Sequence, residues 1–293
     1  MGEKQMKKVL TIAGSDCSGG PGIQADIKTI TVHKMYAMSV ITALTAQNTT
    51  GVYGIRETDA EFVAKQMDCV FTDIRPDAVK IGMIPNEKII RVIAEKLRTY
   101  QVQDVVLDPV MISTSGSRLM SKDAQEALKE ELFPLAAVVT PNLMEAEALC
   151  GFSVSTPCEM ERAAEKIACY GSGAVLLKGG HLADGADDLL YEKGKYIWFS
   201  SKRIENPNTH GTGCTLSSAI ACNLAAGYAL ERAIKNAKNY LTGALQDGLD
   251  LGAGSGPLNH MYRLPPFANG YPFQMCIRDR GRAGCGHGGR GRQ

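Results

Sequence analysis

This chain has almost no net charge: its 293 residues sum to +1. A surface built to hold nucleic acid needs a basic excess, so nucleic acid is not expected as a partner. No apolar run is long enough to span a bilayer, so no membrane partner is expected. Met1-Gly2-Glu3-Lys4 does not open a signal-peptide core, and a cytoplasmic location is the expectation. The nine cysteines contain no Cys-x-x-Cys pair and no ordered His/Cys spacing. All but Cys214 read as small buried hydrophobes. What remains, at 44% hydrophobic and 22% charged, is a globular composition with enough chain for one large α/β domain.

Short apolar segments without polar alternation recur between helical patterns. Strands are expected at 8–13, 38–46, 78–83, 104–110, 136–140 and 174–177. Helices are expected at 21–35, 61–72, about 89–97, 122–132, from the Thr156-Pro157-Cys158-Glu159 capping box to about 171, and at 213–226 and 230–249. This order predicts a doubly wound, mostly parallel sheet flanked by helices on both faces. Alternation around Gly194 adds a β-hairpin near 188–204. One domain is expected over 1–266, and residues 267–293 have no apolar periodicity and read as disordered. Met275-Cys276-Ile277-Arg278-Asp279-Arg280 resembles the translated end of a sequencing transposon, so the last stretch, from Phe273, reads as non-native.

In such sheets ligands bind beyond the carboxyl ends of the strands. Here those ends are polar: Gly14-Ser15-Asp16, Gln47-Asn48, Gly82-Met83, Asp108-Pro109, Thr140-Pro141-Asn142 and Lys178-Gly179-Gly180. Asn208-Thr209-His210-Gly211-Thr212-Gly213-Cys214-Thr215 then runs into an apolar helix. Its first-turn N–H groups are unpaired and carry the positive end of the macrodipole, so the segment reads as a phosphate cradle. Two nucleotide signatures are absent. Gly14–Gly19 has P-loop glycine spacing, but Gly20-Pro21 stands where Lys-Ser/Thr is required. Gly20-Pro21-Gly22-Ile23-Gln24-Ala25 matches the dinucleotide pattern, yet strand two ends in Gln47 and not in a ribose-binding acid.

Cys214, at a helix start, is a thiol whose thiolate the dipole and backbone N–H groups would stabilise, suiting it to act as general base. A residue that merely completes the anion hole is the alternative. Gln47 offers an N–H donor and a C=O acceptor in one plane, which can pair with a ligand edge that carries an acceptor beside a donor; a Gln that caps a loop is the alternative. Lys178 would neutralise phosphate charge. Asp108 and Glu145 are too few for a magnesium cage, but Mg²⁺ arrives with the nucleotide and keeps its waters.

These strings together resemble the ribokinase superfamily, and within it the hydroxymethylpyrimidine/phosphomethylpyrimidine kinases of thiamine biosynthesis. Gly211-Thr212-Gly213-Cys214 stands where sugar kinases of that superfamily carry Asp in the last position, and Asn142-Leu143-Met144-Glu145 matches the N-x-x-E motif. Ala13–Asp16, Ser18–Asp26, Ala46–Thr49, Lys80–Met83, Asp108–Met111 and Leu177–His181 follow in family order, covering about 7–265, with Pro21 departing from the usual Ala. The resemblance implies ATP-dependent phosphorylation of 4-amino-5-hydroxymethyl-2-methylpyrimidine and of its monophosphate. It implies Gly211, Thr212, Gly213 and Cys214 as catalytic, and Gly14, Asp26, Gln47, Met83 and Val110 around the pyrimidine. Asn142, Lys178 and Thr209 would contact ATP, and Asp108 and Glu145 would hold Mg²⁺, through water or directly. A homodimer is a family-level expectation. The alternatives are a pyridoxal/pyridoxine kinase of the same branch and a catalytically silent nucleotide- or pyrimidine-binding protein.

Overall fold

The computed structural model describes residues 6–111, 120–180, 187–201 and 204–265. Nine strands, β1 (Lys8–Asp16), β2 (Tyr36–Asn48), β3 (Gly51–Glu57), β4 (Ala78–Ile81), β5 (Val105–Leu107), β6 (Val138–Val139), β7 (Ala174–Leu177), β8 (Asp188–Glu192) and β9 (Lys195–Phe199), form one sheet among these residues. Its order is β3-β2-β1-β4-β5-β6-β7-β8-β9. β2, β1, β4, β5, β6 and β7 run parallel, and β3, β8 and β9 add antiparallel edges.

Among the described residues eight α-helices cover the sheet: α1 (Gly22–Val32), α2 (Ala60–Asp73), α3 (Glu87–Thr99), α4 (Lys122–Ala127), α5 (Leu143–Cys150), α6 (Pro157–Ala168), α7 (Thr212–Ala225) and α8 (Leu230–Gln246). Alternate residues of each strand face opposite layers. Leu10 and Ile12 of β1 pack with Met67, Ile93 and Ile167 from α2, α3 and α6. Val9 packs with Ile30, Ile220 and Ala237 from α1, α7 and α8. Both faces are therefore dry, which is why the parallel strands carry no polar alternation. Each such buried side chain contributes about 1.5–3 kcal/mol relative to exposure.

The structure departs from the sequence expectation in three elements. β3 was not expected: Tyr53 and Ile55 are 70% and 42% exposed, so its only buried neighbour is β2 and it leaves no core pattern to read. α5 was not expected either. Asn142 and Glu145 read as a chemical motif, yet they form a capping box, with Glu145 N donating to Asn142 Oδ1 and Asn142 N donating to Glu145 Oε2, both at 2.8 Å. The helix expected at 122–132 is α-helical only to Ala127, then passes into a π turn (Leu128–Leu132) and a 3₁₀ turn that contains Pro134. Residues Met1–Tyr262 form one compact unit. Arg263–Gln293 group separately, and of these only 263–265 are described, so the expected non-native tail lies outside the described residues.

Candidate active site

The strand ends and the start of α7 surround a cleft of about 1060 Å³. Gly14, Gln47, Met83 and Val110 line one part of it. Asp108, Asn142, Glu145 and Lys178 line a second, and Thr209, Gly211, Thr212, Gly213 and Cys214 a third. The structure thus gathers every expected site residue except Asp26 around a single space. His181, the last residue of the Leu177–His181 string, lies outside the described residues.

Gly211 caps α7 in the left-handed region at φ 88°, with no side chain to satisfy the first-turn N–H groups. The Thr212 N–H donates to the Thr209 carbonyl at 3.3 Å, and Gly211 to Cys214 line the cleft at the positive end of a 14-residue helix, an arrangement that suits an anion. A second helix start converges here. The backbone N–H of Gly22, first residue of α1, favours the Cys214 thiolate. Gly22 has φ 65°, and a Cβ there would lie 2.4 Å from the Gly14 carbonyl oxygen. Gly22→Ala should therefore cost more than the about 1–2 kcal/mol of the left-handed backbone alone. It should visibly lower the melting temperature and abolish most turnover, and an unchanged melting curve would contradict this geometry.

The ionisation of Cys214 differs from the sequence expectation. Its sulfur opens partly onto the cleft, but the protein around it desolvates the thiolate and pushes the thiol up to about 11. Lys80 and the Gly22 N–H pull it down, and Asp26 and Asp108 push it further up. Two helix starts and a lysine soften the burial penalty without overcoming it. The resting group is a thiol.

Asp26 is the expected site residue that does not line the cleft. It is fully buried and paired with the equally buried Lys80, Nζ to Oδ2 at 2.8 Å. Thr11 and Ser218 donate to its two oxygens at 2.6 and 2.7 Å. Ser218 stands one turn below Cys214 on α7, so this ion pair lies directly under the cradle. Its role as a pyrimidine contact is corrected to that of a buried anchor joining β1, α1, β4 and α7. Burial alone would lower the Lys80 ammonium, but Asp26, Cys214 and Asp108 outweigh it and hold it above its ordinary value.

Lys178 and Asp108 meet across β5 and β7, Nζ to Oδ1 at 2.8 Å, and Thr140 also donates to that oxygen. Burial would lower the Lys178 ammonium, yet Asp108 and Glu145 together raise it, so it is a permanent cation. Burial, reinforced by Asp108, holds the Glu145 carboxyl above the usual carboxylate range, while Lys178 and two backbone N–H groups oppose the shift. Two desolvated carboxylates side by side gain most from a hard cation, so the donor chemistry fits Mg²⁺. Among the described residues, no group of three or more His, Cys, Asp or Glu side chains could hold a metal without a ligand's help. At the far end of the cleft, Ile204, Leu241 and Leu245 supply apolar walls beside the Asp188–Lys238 ion pair.

A sequence profile of the phosphomethylpyrimidine kinase family matches residues 16–259. The chain belongs to that family. It is 50% identical over 258 residues to the hydroxymethylpyrimidine/phosphomethylpyrimidine kinase of Rhizobium meliloti, covering 87% of this chain and 97% of that one. It is also 50% identical over 254 residues to the thiamine biosynthesis bifunctional protein ThiED of Geobacter sulfurreducens, covering 86% of this chain but only 52% of that longer protein. Among solved structures, the ADP complex of Bacillus subtilis pyridoxal kinase is similar at 37% identity and a TM-score of 0.83, covering 89% of this chain and 100% of that one. The ribokinase-like fold expected from the motifs is thereby established, and so is the phosphomethylpyrimidine kinase family. No helix among the described residues is long and apolar enough to cross a membrane.

Sequence reasoning missed Lys80, Ser218, Thr11, Gly22 and His210 as parts of this site. Lys80, Gly22 and His210 lie inside strings that were singled out, but their chemistry depends on partners remote in the chain.

Proposed function

We propose that this phosphomethylpyrimidine kinase transfers the terminal phosphoryl group of ATP to the hydroxymethyl group of 4-amino-5-hydroxymethyl-2-methylpyrimidine, and then to the resulting monophosphate. The observation that carries the reading is the placement of Gln47, whose planar amide matches an aminopyrimidine edge, in one cleft with the Gly211–Cys214 cradle and Lys178.

In this reading the pyrimidine lies between Gly14, Met83 and Val110 and is held by Gln47. The N–H groups of the α7 start receive the charge that develops on the transferred phosphoryl oxygens, and they need no reorganisation to do so. Lys178 leaves Asp108 to pair with nucleotide phosphate. Asp108 and Glu145 would hold Mg²⁺ against the phosphates, and the metal supplies charge neutralisation there. Asn142 and Thr209 border the phosphate path, and the Ile204–Leu241–Leu245 walls suit the apolar faces of a purine. Cys214 takes the proton of the attacking hydroxyl. Electrostatics and positioning supply most of the rate enhancement in such a transfer.

The test is ATP-dependent turnover of the pyrimidine alcohol, its monophosphate and pyridoxal side by side. The two pyrimidines should exceed pyridoxal in kcat/KM by at least about 100-fold, because pyridoxal leaves the Gln47 amide unpaired. Pyridoxal turning over as well as the pyrimidine alcohol would overturn the reading in favour of a pyridoxal kinase, the activity named for the similar Bacillus protein.

A further inference from the structure

Gln47 is the penultimate residue of β2, and an unrestrained glutamine amide presents its two faces with equal ease. Here both ends are engaged. The Thr45 hydroxyl lies 3.3 Å from Oε1 and 3.2 Å from the Ser15 carbonyl oxygen, and its one hydrogen is shared between them. On the other side Nε2 lies 2.9 Å from Nε2 of His210, a residue 163 positions away in the chain. An amide nitrogen only donates, so the facing ring nitrogen must accept, and a neutral ring then carries its proton on Nδ1. Burial lowers the ring's basicity more than nearby Asp16 raises it, which keeps the acceptor form.

The ring itself is well seated. His210 is only 7% exposed, its backbone N–H donates to the Gly256 carbonyl at 3.2 Å, and its backbone bridges to Pro257. The Gly20 backbone presses on it, so that a Cβ at Gly20 would fall 2.7 Å from Cδ2. His210 also directly precedes Gly211, the cap of the phosphate cradle.

A carboxamide has two N–H bonds and two carbonyl lone pairs. With one N–H directed to His210 and one lone pair facing the Thr45 hydroxyl, one N–H and one lone pair remain in the amide plane. We infer that His210 is the positioning residue that fixes the Gln47 amide, so that the cleft reads a ring-nitrogen acceptor beside an amino donor in one orientation only. The inference rests on the proposed role of Gln47 toward the pyrimidine. It goes beyond that role by assigning the specificity to a pair: Gln47 makes the contacts, and His210 decides which way they point. Because His210 leads into Gly211, the same residue ties the pyrimidine reader to the phosphoryl end of the site.

The experiment is steady-state kinetics of His210→Phe, His210→Gln, Gln47→Met and the Gln47→Met/His210→Phe double variant, with ATP and the pyrimidine alcohol varied separately. His210→Phe should raise the pyrimidine KM by about 10- to 100-fold, the worth of a misdirected hydrogen-bonding pair, with the ATP KM unchanged. His210→Gln places an amide oxygen where Nε2 stood and should recover most of the loss. In the Gln47→Met background, His210→Phe should add little, since the amide it orients is gone. An unchanged pyrimidine KM in His210→Phe, or full additivity in the double variant, overturns the inference. A His210→Phe protein with a depressed melting temperature and an equal loss in both KM values also counts against it, because that is a structural role. Wild-type enzyme that ignores the pyrimidine alcohol is a different failure, that of the proposed function itself.

Discussion

Cys214→Ser is expected to lower kcat of the first phosphorylation by about 10²–10⁴-fold, the contribution of a general base. ATP binding should change little, because the N–H groups of the α7 start belong to the backbone. The pH dependence distinguishes this from a steric effect. The thiol is raised to about 11, and only its thiolate can accept the substrate's proton. Activity of the wild type should therefore climb with pH through the neutral and alkaline range toward that value. Cys214→Ser should flatten the climb. Cys214→Asp puts a carboxylate in the same place, so it should keep part of the rate and move the profile to the acid side. The measurement is kcat and kcat/KM against pH for the three proteins. Near-wild-type kcat in Cys214→Ser across the range would assign catalysis to the cradle, Lys178 and the metal alone.

Lys80→Met should produce the largest loss of stability of any single change considered. It leaves the Asp26 carboxylate at zero exposure with Thr11 and Ser218 as donors and no compensating charge. Breaking a buried pair in this way costs about 3–5 kcal/mol. For a chain of this size each kcal/mol shifts Tm by about 2–4 °C, so a fall of about 6–20 °C is expected. Adding Asp26→Asn removes the stranded charge, and the Lys80→Met/Asp26→Asn protein should regain most of the loss, since neutral replacement of a buried pair is often tolerated. Calorimetry of the two variants checks this. A single variant melting with the wild type would show that the pair does not anchor the floor of the site.

The chain order of strands and helices was legible because its signals are local. Ile89, Ile90, Ile93 and Leu97 recur at helical spacing and are all buried on α3. Thr156 and Glu159 form the expected capping box at the start of α6. The cradle was legible for the same reason. Gly211-Thr212-Gly213 starts a helix with no side chain to cap it, wherever that helix sits.

What failed to read locally was held from afar. β3 exists because β2 offers an edge, since its own side chains are largely in water. α5 hid inside a motif valued for its chemistry, although Asn142 and Glu145 satisfy each other as a cap before any ligand arrives. Asp26 matched a substrate position by its neighbours in sequence, whereas a lysine 54 residues away claims its charge.

The sequence by itself therefore determined the layered α/β architecture, the polar strand ends and the phosphate cradle, because periodicity, capping and glycine placement act over a few residues. Only the tertiary structure decided the charge state of Cys214, the burial of the Asp26–Lys80 pair and the seating of Gln47 against His210. Desolvation is a sum over every atom packed around a group, and a hydrogen bond across 163 residues exists only once the sheet has brought its two ends together.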